Sequence, residues 1–495
     1  MKRILSIILA LAMLLSMVSI AAIAEEEPIV IKAVTNKHAG GIPDNREDDF
    51  VYQAILEKFN IKLELDDLQE YDTALMNLIN GGDVPDLMFL TPDMMQQYAE
   101  AGYIRSINEI KDCDTWQIIL DRWGETVDIP SMYYDGDLYA IPMLNPQGDF
   151  YYEIYTREDW NEKYNLKNPT TIDELYDYCC WMRDNDPDGN GIADTIGFTC
   201  WGLTGMCAIT SPYDVAFGNY LLVRDGKVTN TVLQPGMKDA LATVKKFWDA
   251  GLIDAGWASN SESKATTFAC NVGVVAMPWS NLAKAAYTEQ YKAVNPEASY
   301  APIEAFSVEE GGEKRYSLAK YDQNVGEKMC VGCNVDDAKL EAIFTILEYF
   351  SQDGYWLPQL GVEGRHWEYD ANGTPVMSTV TEIKAEVNYI HEYQWLGRDE
   401  MTYLAAKFPE ASKEVAWGLH YNILEYFNTS VIVPDDFNLA DMESYINTQL
   451  IAFYKGERDL AEYDQFIQEL YDSYDFGEYM NLATEQLVAL GLANE

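Results

Sequence analysis

The sequence predicts an exported α/β protein of two lobes, each a mainly parallel sheet flanked by helices, with a largely helical C-terminal part. Three observations predict it. Behind a secretory leader the chain alternates strand and helix three times. About 470 of the 495 residues then remain, too many for one compact core and enough for two or three domains. No repeat, low-complexity tract or flexible linker divides them, so ordered crossings rather than a tether join the lobes.

The leader comes first. Lys2 and Arg3 precede an apolar or small-residue run from Ile4 to Ala24, and Ala22-Ile23-Ala24 has the small-x-small pattern of signal cleavage. The run is just long enough to span a bilayer. The small residues at its end and the acidic Glu25-Glu26-Glu27 after it favour cleavage instead, so residues 1–24 are expected to be a signal peptide.

Ile29 to Val34 reads as a strand, and Phe50, Val51, Ala54, Ile55 and Phe59 recur at helical spacing. Ile61 to Leu65 switches to a period of two, Tyr71 to Ile79 is helical and stops at Gly81-Gly82, and Leu87 to Leu90 is an apolar run of buried-strand length. Thr91-Pro92-Asp93 then starts a helix that ends at Gly102. Gly136 to Pro142 reads as a turn and a strand leaving this lobe. Thr171-Ile172-Asp173-Glu174 is a capping box opening a helix through Met182. Pro235-Gly236 precedes a helix carrying Leu241, Val244, Phe247 and Trp248, which ends at Gly251.

Composition narrows the partners. Losing Lys2 and Arg3 takes the net charge from −47 to −49, which opposes nucleic acid, anionic lipid and acidic polysaccharide. With 48% hydrophobic and 13% aromatic residues the chain has ample surface to bury, so disorder is excluded. Eight cysteines are few, and export permits pairing of Cys330 with Cys333 or Cys200 with Cys207. Cys179-Cys180 lies in a helix, where vicinal pairing is strained. The four histidines have no ligand-like spacing, and neither Gly-x-Ser-x-Gly nor His-Glu-x-x-His occurs.

One loop has the chemistry of a calcium site. From Asp186 to Asp194, the side chains of Asp186, Asp188, Asn190 and Asp194 stand at loop positions 1, 3, 5 and 9, with Gly191 at position 6 and the Ile192 carbonyl at position 7. Calcium is a hard cation that takes six to eight oxygens, and alternate residues of a tight loop aim theirs at one point. Position 12 holds Gly197 rather than the bidentate Glu, so the loop is not an EF-hand that opens on binding. An acidic, solvated turn is the alternative.

Several segments together resemble the extracellular solute-binding proteins of family 1, partners of ABC sugar importers. Gly82-Asp83-Val84-Pro85-Asp86-Leu87-Met88-Phe89 followed by Tyr98-Ala99-Glu100-Ala101-Gly102-Tyr103-Ile104 is similar to the first-lobe signature of maltodextrin binders. Asp135 to Pro142 resembles the family's first crossing strand. Arg157-Glu158-Asp159-Trp160, Pro169 to Leu175, the Asp186 loop, Gly251-Leu252-Ile253-Asp254 and Gly361-Val362-Glu363-Gly364 resemble the large-ligand branch that includes alginate-binding proteins, where a comparable loop holds structural calcium. The resemblance spans nearly the whole chain beyond the leader.

It implies a type II periplasmic-binding-protein fold, a monomer that delivers an oligosaccharide to the transmembrane permease subunits of an ABC importer, and structural Ca2+ in the loop. The expected partition is 25–143 with about 298–350 in the first lobe and about 144–297 with 351–495 in the second. Relatives with a lipid anchor carry a cysteine at the cleavage site, whereas the first cysteine here is Cys113, so a periplasmic or extracellular protein without that anchor is expected.

Ligands of such folds lie between lobes, at strand ends and helix starts. Asn36 and Lys37, Thr91 and Asp93, and Asn145 and Gln147 are polar residues where apolar strands end, and are candidate contacts; Thr91 also suits a helix cap. Twelve tryptophans and 34 tyrosines offer faces for sugar rings. Trp279 resembles the stacking tryptophan of maltodextrin binders, Trp201 follows a strand end, and Trp356 and Trp367 flank the Gly361–Gly364 turn, whereas Trp160, Trp181 and Trp248 sit on amphipathic helices and suit a core. A secreted carbohydrate-active enzyme and a calcium-dependent carbohydrate-binding surface protein are the rival classes.

Overall fold

The computed structural model describes residues 27–36, 41–123, 132–142, 152–320, 328–396, 400–418, 421–434 and 437–494. The expected signal peptide lies outside them. Among the described residues no helix is long and apolar enough to cross a membrane.

The first sheet runs Ile61–Leu68, Ile29–Asn36, Leu87–Leu90, Lys328–Gly332 and Ile104–Arg105 in order, with Ala140–Pro142 also pairing to Lys328–Gly332. Its first three strands are parallel, because the helices Phe50–Phe59 and Tyr71–Asn80 carry the chain back between them. Lys328–Gly332 returns from the other lobe and runs antiparallel to all its neighbours. The second sheet orders Tyr300–Pro302, Tyr152–Arg157, Val272–Pro278 and Ile196–Cys200, and only the last pair is parallel. Strand directions are thus more mixed than a mainly parallel sheet. The two-lobed α/β architecture stands.

Each sheet organises its own core. Val272–Pro278 is buried at every position, as a central strand covered on both faces must be. Beside it the helix Ile172–Asn185 opens with both arms of its capping box formed by Thr171 and Glu174. The helices Leu439–Lys455, Tyr463–Ser473 and Phe476–Ala489 complete the second core, giving the helical C-terminal part.

The partition differs from the expected one. Leu357 to Ala411 contributes to the first core, not the second, and Tyr300–Pro302 is a strand of the second sheet. A buried polar anchor accounts for the first difference. Asp49 caps Phe50–Phe59 by accepting from the Val51 and Tyr52 amides, each at 3.1 Å, and also accepts the hydroxyls of Tyr393 at 2.6 Å and Tyr389 at 3.1 Å. The Thr35 hydroxyl donates to Glu392 at 3.1 Å. These bonds tie 389–393 to the first lobe across some 340 residues of sequence. All eight cysteines are unpaired thiols, so neither permitted disulfide forms.

Candidate functional site

The polar candidates of the first lobe lie where its strands end. Asn36 is the last residue of the first strand rather than the residue beyond it. Thr91 occupies the N-cap position of Pro92–Glu100, but its side chain makes no capping bond and is exposed. Asp93 is exposed in the first turn, at the positive end of the helix dipole. Lys37, Asn145 and Gln147 lie outside the described residues.

The tryptophans divide into two groups. Trp201 is half-buried directly after Ile196–Cys200, and its backbone N–H donates to Ala276 at 2.8 Å, so it is pinned beside Val272–Pro278, the strand that leads into Trp279. Trp279 leaves the second sheet at Pro278 and packs in the first core, 3% exposed, edge-on to Phe408 at 5.8 Å. Trp356 and Trp367 lie 6.2 Å apart within the first core, and the Trp367 indole donates to the Gly361 carbonyl at 2.9 Å. Gly361 has φ +89°, and a Cβ there would stand 2.6 Å from the His366 ring, so that turn requires glycine. Of the three helix tryptophans, Trp160 is buried, while Trp181 and Trp248 are half-buried against Tyr164 and Tyr454.

Around Trp279 the structure adds residues that sequence reasoning missed. The Lys284 ammonium sits 4.5 Å from the Phe408 ring and 5.5 Å from the Trp279 ring. Burial and then Lys407 lower its pKa, against Glu410. Glu410 also accepts the Ala285 amide at 3.3 Å. Beside this contact lies a cavity of about 430 Å3 whose lining includes Tyr155, Tyr300, Lys292, Glu410 and Glu414. Phe408 and Glu410 belong to a segment without clear periodicity, and no local signal ties them to Trp279.

The acidic loop follows Ile172–Asn185, whose C-cap is Asp186 in the left-handed region at φ 47°. Asp186 accepts the amides of Asn190 at 3.1 Å and Gly191 at 2.9 Å, and Asp188 accepts the Asn190 side-chain amide at 2.9 Å. That same amide lies 3.3 Å from Asp194, which Asn271 also holds at 3.0 Å. Gly191 has φ +85°, as the sharp turn demands. Ile192 turns its side chain out, 60% exposed.

Crowding shows in the acids: burial and the neighbouring Asp186 raise the Asp188 carboxyl, while hydrogen bonding with Asp188 and the loop amides lowers that of Asp186. The donor chemistry of oxygens around three carboxylates fits a hard divalent cation. As the side chains stand, no three His, Cys, Asp or Glu residues among those described are arranged to hold a metal. The missing Glu of position 12 has a steric cause. Gly197 already lies in Ile196–Cys200, where a Cβ would meet Cys179 at 2.6 Å and the Leu252 carbonyl at 2.9 Å.

Comparison with known proteins gives the same architecture. Among solved structures, FusA of Streptococcus pneumoniae in complex with kestose is 18% identical with a TM-score of 0.68, covering 92% of this chain and 98% of that one. The alginate-binding protein AlgQ2 without calcium ion is 17% identical with a TM-score of 0.67, covering 93% and 98%. A variant of FusA described as an EF-hand mutant, in complex with fructo-nystose, is 18% identical with a TM-score of 0.67, covering 92% and 98%.

In sequence, the fructooligosaccharide ABC transporter substrate-binding protein FusA of S. pneumoniae is 26% identical over 232 residues, 43% of either chain. Lipoprotein LipO of Bacillus subtilis is 34% identical over 113 residues, 22% of either chain. These matches span less than half of the curated relatives. The family model of the bacterial extracellular solute-binding proteins matches residues 51–353, a span that includes strands of both sheets, and the chain belongs to that family.

Proposed function

We propose that this chain is the extracytoplasmic substrate-binding component of an ABC importer, a monomer that holds an oligosaccharide between its lobes and presents it to the transmembrane permease subunits. The observation that carries the reading is Trp279. An indole that starts at the end of the second lobe's central strand and finishes in the first lobe's core links closure of the lobes to the place where a sugar ring would stack. Trp201, Thr91 and Asp93 supply further contacts from both sides. Trp356 and Trp367 contribute only through an opening of the turn that now buries Trp367. Asn36, Lys37, Asn145 and Gln147 remain in the proposed contact set.

The relatives support the substrate class: their names or complexes specify fructooligosaccharide, kestose and fructo-nystose. Polyanions are disfavoured by a net charge of −47, although one structural neighbour is an alginate-binding protein and one relative, from Bacillus subtilis, is a polygalacturonan/rhamnogalacturonan-binding protein. In this reading the protein turns nothing over. A thermal-shift screen tests it: neutral oligosaccharides, beginning with kestose, should raise the melting temperature, and alginate and polygalacturonate should not. Stabilisation by the polyanions alone would refute it.

The Asp186 loop is proposed as a structural calcium site, held by Asp186, Asp188, Asn190 and Asp194 side chains and the Ile192 carbonyl. When bound, calcium would neutralise the three carboxylates and lock the turn between helix and strand. The description of a FusA variant as an EF-hand mutant supports a loop of this kind in a relative.

A further inference from the structure

Strand directions in the second sheet decide which of its edges faces the first lobe. Val272–Pro278 runs straight into Trp279, which packs in the first core, so the Pro278 end of that strand points at the first lobe. Ile196–Cys200 is parallel to it, with Cys200 opposite Ala276, and Tyr152–Arg157 is antiparallel, with Tyr152 opposite Pro278. Tyr152, Trp279 and Trp201 therefore stand side by side along one rim, at the same end of three neighbouring strands. Strands in a sheet lie about 4.8 Å apart, so this rim is about 10 Å long. One sugar ring does not cover it.

Two tyrosines extend the rim. Thr204, in the short helix Gly202–Gly205 after Trp201, is hydrogen-bonded to the Tyr220 hydroxyl, and Tyr426 and Tyr152 lie within electrostatic reach of it. The rings of Tyr220 and Tyr426 meet edge to face, with centroids 5.0 Å apart and planes at 75°. Backbone bonds beside the pair hold it in place: the Phe427 amide donates to the Leu221 carbonyl at 2.9 Å, and the Leu221 amide donates to Asn428 Oδ1 at 2.7 Å. Alternation along Ile423–Tyr426 puts Tyr426 on the same face as the fully buried Leu424, while Ile423 and Glu425 are exposed on the other. Both rings back onto the small apolar cluster of Cys207, Ala216, Leu318 and Leu424.

Burial separates these rings from tyrosines that only fill the core. Tyr155 and Tyr316 are 1% exposed, whereas Tyr152, Trp201, Tyr220 and Tyr426 are all half-buried and keep part of their surface open. An edge-to-face pair fixed by its backbone loses little further freedom when a ligand settles on it, and its apolar faces suit the C–H face of a sugar ring. The phenol hydroxyls at its tips can exchange hydrogen bonds with sugar hydroxyls.

We propose that Tyr220 and Tyr426 form a second stacking station on this rim, which engages units of an oligosaccharide beyond the one at Trp279 and so sets the chain length that the protein prefers. The inference rests on the binding reading and deepens it. A sugar too short to reach the pair gains nothing from it, so affinity should rise from a disaccharide to a tetrasaccharide of the same series.

Calorimetry of the full chain with sucrose, kestose and nystose, and with maltose, maltotriose and maltotetraose, is the experiment. In the series that the wild type binds, Tyr426→Leu and Tyr220→Leu should each weaken the tetrasaccharide about tenfold and change the disaccharide by less than about twofold. Tyr426→Phe keeps the ring and should bind like the wild type. If one Leu variant does not fold, the other decides. A loss that is equal at every chain length marks a merely structural pair. That result, no loss in either variant, or a wild type that binds disaccharide as tightly as tetrasaccharide overturns this inference and leaves the binding reading intact. Failure of the wild type to bind any of the six sugars overturns the binding reading, and this inference with it.

Discussion

Two tryptophans, Trp279 and Trp248, show how position decides what an indole does. Trp248 packs edge-on to Tyr454 at 5.4 Å on the face of Gly236–Asp249, wholly within the second lobe. Trp279 spans the two lobes. Trp279→Ala should weaken oligosaccharide binding by about 1–3 kcal/mol, the worth of burying a large side chain, or roughly tenfold to a hundredfold in affinity. Trp248→Ala should lower the melting temperature and leave the affinity of the folded fraction unchanged. Titration calorimetry on both variants checks the pair.

His366 gives a second prediction at this scale. Its Nδ1 accepts the Val362 amide at 2.9 Å, which only the neutral ring can do, and Nε2 faces Glu386 at 3.2 Å. Burial lowers its pKa more than Glu386 and Arg365 together alter it. A histidine with a lowered folded pKa contributes stability above its unfolded value, near 6.5, and that contribution is lost as pH falls below it. The gap in melting temperature between wild type and His366→Asn should therefore narrow on going from neutral pH into acid. A gap that is constant with pH contradicts the assignment.

Elements with local signatures were legible in the sequence. Leu87–Leu90 is a strand at the expected residues, and the Thr171 capping box opens its helix where the motif stands. Thr171→Ala should cost about 1 kcal/mol, read as a drop in melting temperature. Elements whose partners are distant were not legible. The assignment of 357–411 to the first lobe depends on Asp49 meeting Tyr389 and Tyr393, which no periodicity can reveal. Thr91 has the residue type of a cap, yet its hydroxyl caps nothing.

The Asp186 loop is intermediate: its oxygen spacing is visible in sequence, while the packing of Gly197 on Cys179 that excludes a Glu is not. Chelation should lower the melting temperature. A site filled a hundredfold above its dissociation constant contributes about 2.7 kcal/mol. Asp188→Ala should remove that sensitivity. An unchanged melting curve and metal content after chelation would reduce the loop to a turn.

At the scale of the molecule, the two cores explain both what was legible and what was not. Length, the absence of a linker and the alternation of strand and helix pointed to two lobes. The direction of Lys328–Gly332, which enters its sheet from the other lobe, depends on a crossing that leaves no local trace. Acidity belongs to this scale as well, since a net charge of −47 opposes polyanions at long range and is the reason the proposed ligand is neutral. The central claim, a neutral oligosaccharide held between the lobes, is tested most directly by calorimetry of the full chain with a panel of neutral oligosaccharides, amino acids and short peptides. The account predicts saturable binding of one oligosaccharide per chain with the sugar recovered intact; binding of an amino acid or peptide instead, or recovery of cleaved sugar, would contradict it.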